Sequence, residues 1–144
     1  MSGEKGSTYA NQLLALIFNG TTIPNLADNA ASSPLTKLWV SLHSADPTAG
    51  GTQNSNEVAY TGYARVGVAR TSGGWVVTGN SVSPAALIVF PTCTGGSASV
   101  TYFAVGEASS GAGEILYAGP TSPTISVSTG VTPELTTATA ITES

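Results

Sequence analysis

Short apolar runs recur along nearly the whole chain, each closed by a cluster of Gly, Pro, Ser or Asn. Runs this short cannot persist as isolated helices, which need ~12–15 residues. Several alternate with period two, which places their apolar side chains on one face of a strand. Residues 37–44 set Leu38, Val40 and Leu42 against Trp39, Ser41 and His43. Residues 63–70 set Ala64, Val66 and Val68 against Arg65 and Gly67. Ser72-Gly73-Gly74 predicts a tight hairpin into the return strand Trp75-Val76-Val77-Thr78. Residues 86–90 form a continuous apolar run, which predicts a buried strand ended by Pro91. Residues 98–105 alternate Val100 and Tyr102 with Thr101 and Phe103. Residues 114–118, 124–128 and 134–142 complete the set, the last with Leu135 and Ile141 in phase. About eight short strands with turns between them predict a mainly β fold, an antiparallel β-sandwich or jelly roll. Trp39, Phe90 and Phe103 are its expected aromatic core. No βαβ alternation and no internal repeat is present.

One segment departs from this pattern. Tyr9, Leu13, Leu16 and Ile17 fall on one face of a helix, with Leu14 and Phe18 widening the stripe. Ser7 or Thr8 is placed to cap its start, and Asn19-Gly20 to stop it. Residues 21–34, with Pro24, Asn25, Asp28, Asn29 and Ser32-Ser33-Pro34, predict a long loop. The expected organisation is one domain over 1–144, with the helix and loop in 1–35 and the sandwich in 36–144. Two readings of the helix stay open. It is a docking arm that the strands can do without, or a plug over an open end of the sandwich.

Charge is scarce: 8% of the 144 residues are Asp, Glu, Lys or Arg, and the net charge is −4. The cations are Lys5, Lys37, Arg65 and Arg70, and they form no block. Phosphate backbones and anionic membranes both require clustered cations, so neither nucleic acid nor membrane is an expected partner. No run of ~20 apolar residues is present to span a bilayer. Residues 1–5 hold no apolar signal core, and the single Cys93 forms no internal disulfide, so synthesis in a reducing host cytoplasm is expected. A surface of hydroxyls and small side chains suits close packing in an assembly, including self-association.

Chemistry-bearing residues are few. His43 lies close to Asp46, yet no nucleophile motif accompanies them, and a loop anchor is the ordinary role for such a pair. Asp46, Asn54, Asn56 and Glu57 offer oxygens without calcium-loop spacing. Glu107 and Glu114 flank a Ser-Gly loop, as turn residues or as a carboxylate pair. Gly111-Ala112-Gly113 is followed by no lysine and opens no phosphate loop. The expectation is no enzyme, no metal and no cofactor. Arg65 and Arg70, among Tyr60, Tyr63 and Trp75, have the composition of an interface. The candidate partner-contact residues are Tyr9, Leu13, Phe18, Asp46, Glu57, Tyr63, Arg65 and Arg70.

A resemblance adds to this reading. Leu38-Trp39-Val40-Ser41-Leu42-His43-Ser44-Ala45-Asp46-Pro47, then Gly50-Gly51-Thr52-Gln53, Asn56-Glu57-Val58 and Gly62-Tyr63-Ala64-Arg65, are similar to an ordered motif set of small β-rich virion proteins of tailed bacteriophages. Phe90-Pro91-Thr92-Cys93-Thr94-Gly95 and Leu116-Tyr117-Ala118-Gly119 with Pro123 extend the likeness, which covers roughly residues 36–142. The resemblance implies a non-enzymatic structural component of the particle. A small chain with no heptads or fibrous repeat points first to a capsid cement or decoration protein. Such a protein would sit on the capsid exterior, bridge major capsid protein subunits, and stabilise the shell by binding only its assembled state. A tail or tail-fibre-associated protein and a carbohydrate-binding β-sandwich are the alternatives.

Overall fold

The computed structural model describes residues 3–144, so the first two residues of the expected leaderless start lie outside the described residues. It contains one helix, α1 (Ser7–Asn19), and the strands β1 (Lys37–His43), β2 (Val66–Ala69), β3 (Trp75–Thr78), β4 (Ser81–Pro84), β5 (Ile88–Val89), β6 (Ala98–Gly106), β7 (Ile115–Val127), β8 (Glu134–Leu135) and β9 (Ile141–Thr142). All pairings are antiparallel. The sheets have the orders β2-β1-β6-β7, β3-β4-β9 and β5-β8. Val40, Phe103 and Val105 from the first, Trp75, Val82 and Ile141 from the second, and Ile88 and Leu135 from the third share one buried cluster. The fold is therefore mainly β with one helix, a sandwich closed around a common core, as the strand pattern predicts. The gap left where these side chains meet is about 10 Å³, at the lower limit for one water.

Strand β1 shows how the sequence sets the layers. Leu38, Val40 and Leu42 point into the core as their alternation requires. Ser41 and His43 on the opposite face are also fully buried, because a loop covers that face. Trp39 is only half-buried, with the Lys37 ammonium 5.9 Å from its ring, and it stands outside the core cluster. The expectation of a core Trp39 is corrected: Trp75 takes that role at 2% exposure, while Phe90 and Phe103 are core as expected.

Other departures have local causes. Ser72-Gly73-Gly74 does form a turn, with the Gly74 and Trp75 amides donating to the Thr71 carbonyl. It joins two sheets rather than two paired strands, since β2 pairs with β1 and β3 with β4. The hairpin lies at Gly79-Asn80, where Thr78 faces Ser81 and Gly79 takes φ +59°. Residues 86–90 are not continuously buried: Ile88 and Phe90 point inward while Leu87 and Val89 are exposed. A register shift between Val100 and Tyr102 changes the phase of β6, so Phe103 and Val105 join Val100 in the core. The strands expected at 114–118 and 124–128 are one strand, β7, whose two halves pair with β6 on either side of that shift.

Helix α1 is part of the core. Gly6, not Ser7 or Thr8, occupies its N-cap and supplies no side-chain bond. Gly20 at φ +67° closes the other end, its amide and that of Thr21 donating to Leu16 and Ala15. The buried face is Ala10, Leu14 and Phe18, at i, i+4 and i+8, which leaves Tyr9 on the solvent side. Phe18 lies 4.9 Å from Trp75 edge-on and 5.7 Å from Tyr117. The docking-arm reading of the helix is thereby corrected, and Phe18 is withdrawn as a surface contact, because its ring is fully enclosed by the domain.

Trp75→Ala, Phe90→Ala and Phe103→Ala should each cost about 3–5 kcal/mol in denaturant unfolding, and Trp39→Ala distinctly less. Deleting residues 1–34 should abolish the cooperative melt, since it opens the core at Leu14 and Phe18. A truncated chain that melts cooperatively would return the helix to the role of arm.

Candidate functional site

The sequence places most of its polar chemistry on the outer face of β1, and the fold assembles it there. Residues 44–57 leave the end of β1 and fold back over the sheet. The Ser44 amide donates to the Asn56 carbonyl and the Val58 amide to that of Leu42. A second loop, residues 107–114, joins β6 to β7 and lies against the first, with the Gln53 amide donating to the Gly113 carbonyl (2.8 Å).

Arg65 holds the two loops together. Its side chain is 2% exposed. Nε and Nη2 donate to the two carboxylate oxygens of Glu57 at 2.7 and 2.9 Å. Nη1 donates to the Ala108 carbonyl (2.9 Å) and Nη2 to that of Gly111 (2.6 Å). The bonded carboxylate holds the guanidinium pKa above its ordinary value. Tyr63 Oη donates to Glu57 (2.7 Å) and accepts the Leu42 amide (3.1 Å). Burial is the main force raising the phenol pKa. Glu57, Tyr63 and Arg65, singled out from the sequence, are thus one network.

Gln53 is the member that sequence reasoning missed. It is fully buried, donates Nε2 to the Trp39 carbonyl (3.3 Å) and accepts the Ala108 amide (2.9 Å). Gly106 and Gly113 make room for it: a Cβ on either would come within 2.2 and 2.3 Å of its side chain. Gln53 falls in the Gly50-Gly51-Thr52-Gln53 stretch of the phage-protein resemblance, but that likeness assigns it no buried role.

His43 and Asp46 do not meet as a catalytic pair. His43 Nδ1 is bonded to the Ser55 carbonyl (2.8 Å) and Nε2 to Ser41 Oγ (2.9 Å). A carbonyl only accepts, so Nδ1 carries the proton of a neutral ring. Burial lowers the pKa below its ordinary 6.5. The Asp46 carboxylate accepts from the Thr48 amide and hydroxyl at 2.9 and 2.7 Å, an ordinary turn cap. Glu107 and Glu114 are both exposed at the base of their loop.

The remaining candidates lie elsewhere. Tyr9 is exposed and Leu13 half-buried on α1. Arg70 sits at the C-terminal end of that helix, where Nε and Nη2 donate to the Ile17 and Leu16 carbonyls at 2.6 and 2.8 Å. Nη1 reaches Asn29 Oδ1 (2.6 Å). Lys5 pairs with Glu143 at 2.7 Å. Each of the four cations is therefore engaged within the chain, while Glu4, Asp28, Asp46, Glu107, Glu114 and Glu134 are exposed. Among the described residues no group of three or more His, Cys, Asp or Glu is placed to hold a metal, and no helix is long and apolar enough to cross a membrane. What this arrangement does chemically is fix loop shape: its donors and acceptors are turned on one another.

A family model described as "Podophage GP4 fiber I protein gp80" matches residues 6–142. No curated protein matches the chain.

Arg65→Ala should destabilise the domain by about 3–5 kcal/mol, the cost of breaking one side of a buried pair. The pH profile has a set sign. With a folded His43 pKa below 6.5, the unfolded chain binds the extra proton first, so stability falls as pH drops below 6.5. Glu143, held low by Lys5 and then Tyr117, and Asp46, held low by Thr48, act only in the carboxylate range beneath it. Thermal melts should therefore show a loss between about pH 7.5 and pH 5.5 that His43→Gln removes. A flat profile in the parent protein would contradict the assignment.

Proposed function

The chain belongs to the podophage GP4 fiber I protein family, which makes it a structural protein of a phage virion, and we propose that its station is the tail-fibre apparatus. The observation that carries this is the family's description as a fiber protein, on a match that takes in the helix, both loops and every strand. The protein acts as a non-enzymatic packing module, held in the particle by contacts with neighbouring virion proteins and with further copies of itself. It stabilises the assembled state because it binds that state and not its separated parts. Two features support such a role. The loop network of Glu57, Tyr63, Arg65 and Gln53 presents a preformed surface, so docking carries little ordering cost. The outward charge is anionic, which suits neutral or basic protein neighbours and not phosphate or an anionic bilayer.

A capsid cement protein bridging major capsid subunits is the second reading. It rests on the small size of the domain and the absence of a fibrous repeat. Quantitative protein gels of purified particles separate the two. The fibre station predicts a copy number far below that of the major capsid protein, with antibody label at the tail. A band in fixed proportion to the major capsid protein, with label over the head, would establish the cement reading instead.

A further inference from the structure

The two edges of the four-stranded sheet are treated in opposite ways by the sequence. Edge strand β7 carries Pro120 and Pro123, and its pairing with β6 breaks between Pro120 and Ile125. Proline and broken register are what keep a sheet edge from recruiting another strand. Edge strand β2 reads Val66-Gly67-Val68-Ala69, with no proline, no charge and no break in its register.

The hydrogen-bond phase says which groups β2 leaves open. Arg70 donates its amide to Thr36, and with Leu38 facing Val68 and Val40 facing Val66, these are the bonded pairs of the ladder. Gly67 and Ala69 then direct their amides away from β1. Across from them lies β5. Phe90 donates its amide to Pro133, and Ile88 faces Leu135, so Val89 directs its backbone away from β8. Between the two edges runs a groove of about 270 Å³, lined by residues 66–69, 73–74 and 86–89, all Val, Gly, Ala, Leu or Ile. Leu87 and Val89 on its rim are each 47% exposed.

We infer that this groove takes an extended, uncharged segment of a neighbouring protein, added as a strand against β2. Backbone groups supply the attraction, and alternate small or β-branched side chains fill the groove. A lining with no charge selects against a charged segment, whose desolvation nothing there offsets. A second copy of the chain meeting this one edge to edge fits less well. The edge is recessed beside β5, and a two-fold mate would bring the same recess. Four residues also span only about 13 Å of edge, too short a contact to build the ~1,200 Å² that a stable interface of folded partners buries. The inference deepens the virion-protein reading by naming where a neighbour enters, but the groove itself is testable without the particle.

The probe is a capped hexapeptide of alternating Val and Thr, titrated into the full chain and followed by NMR. The amides of Gly67, Ala69 and Val89 should shift and exchange more slowly. Ala69→Pro removes an outward amide without touching the β1 ladder, and Val89→Lys puts a charge on the rim. Each should weaken binding about tenfold or more, while Val76→Lys, equally exposed on β3, should not. If one variant fails to melt like the parent, the other decides. Absence of peptide binding, or equal binding by Val89→Lys, would overturn the inference. Shifts at these amides on raising protein concentration alone would give the groove to a second copy and overturn the assigned occupant. Whether the protein is found in particles at all is read separately, by mass spectrometry of purified virions, and bears only on the virion reading.

Discussion

The buried guanidinium of Arg65 is the constraint around which one face of the molecule is arranged. A cation taken out of water costs several kcal/mol unless its donors are met. Here Nε, Nη1 and Nη2 all find oxygen, and those oxygens come from two loops far apart in sequence. The loops are therefore ordered by the same group that could not be buried without them. That coupling explains why Glu57, Tyr63 and Gln53 carry no free polar function, and why Gly106 and Gly113 tolerate no side chain. Together they are one cooperative unit, so single substitutions within it should not add independently.

Arg70 solves a related problem without a carboxylate. The last turn of a helix exposes carbonyls that carry about half a negative charge, and no acidic or basic residue of α1 itself offsets them. Arg70 reaches across from the end of β2 to bond the Leu16 and Ile17 carbonyls, and it pins Asn29 of the following loop. Desolvation lowers its pKa from the ordinary arginine value. The helix is thus held by Phe18 on the core side and by Arg70 at its end. With Lys5 on Glu143 and Arg65 on Glu57, the scarcity of cations visible in the sequence becomes a surface on which exposed carboxylates outnumber exposed cations.

What the sequence made legible follows from periodicity. Leu38, Val40 and Leu42 alternate without interruption, and the strand they mark is where expected. Periodicity fails where a non-local event resets it. The shift in β6 sets Val100 and Phe103 on one face where strict alternation would part them, and the pairing with β7 discloses the cause. Partner choice is hidden for the same reason: Ser72-Gly73-Gly74 announces a turn, but burying Trp75 against Phe18 sends the chain into a different sheet. The helix was recognisable, yet its buried stripe is displaced toward Ala10, because a small residue there lets α1 approach β3 and β4. In the site, Tyr63 and Arg65 stand out as charge among aromatics, and Glu57 as an acidic residue of the preceding loop. Gln53 was not, since its role exists only once two loops meet.

The N-terminal segment shows how burial divides one stretch of sequence between stability and surface. Leu14 and Phe18 are wholly enclosed, so the helix belongs to the fold. The connection that follows is different in kind. Ile23 is buried, and the Ile23 and Ala27 backbones bond each other, but Leu26 is 68% exposed and Leu35 42%. Arg70 fixes this connection at Asn29 and at the Leu35 and Thr36 backbones. An apolar side chain held in water on a pinned loop contributes nothing to the fold, and its ordering cost is already met before any partner arrives. The exposed apolar surface of this segment therefore lies on the loop of residues 21–36. The helix sets where that loop sits, and a substitution at Phe18 would disturb the loop only by first loosening the core.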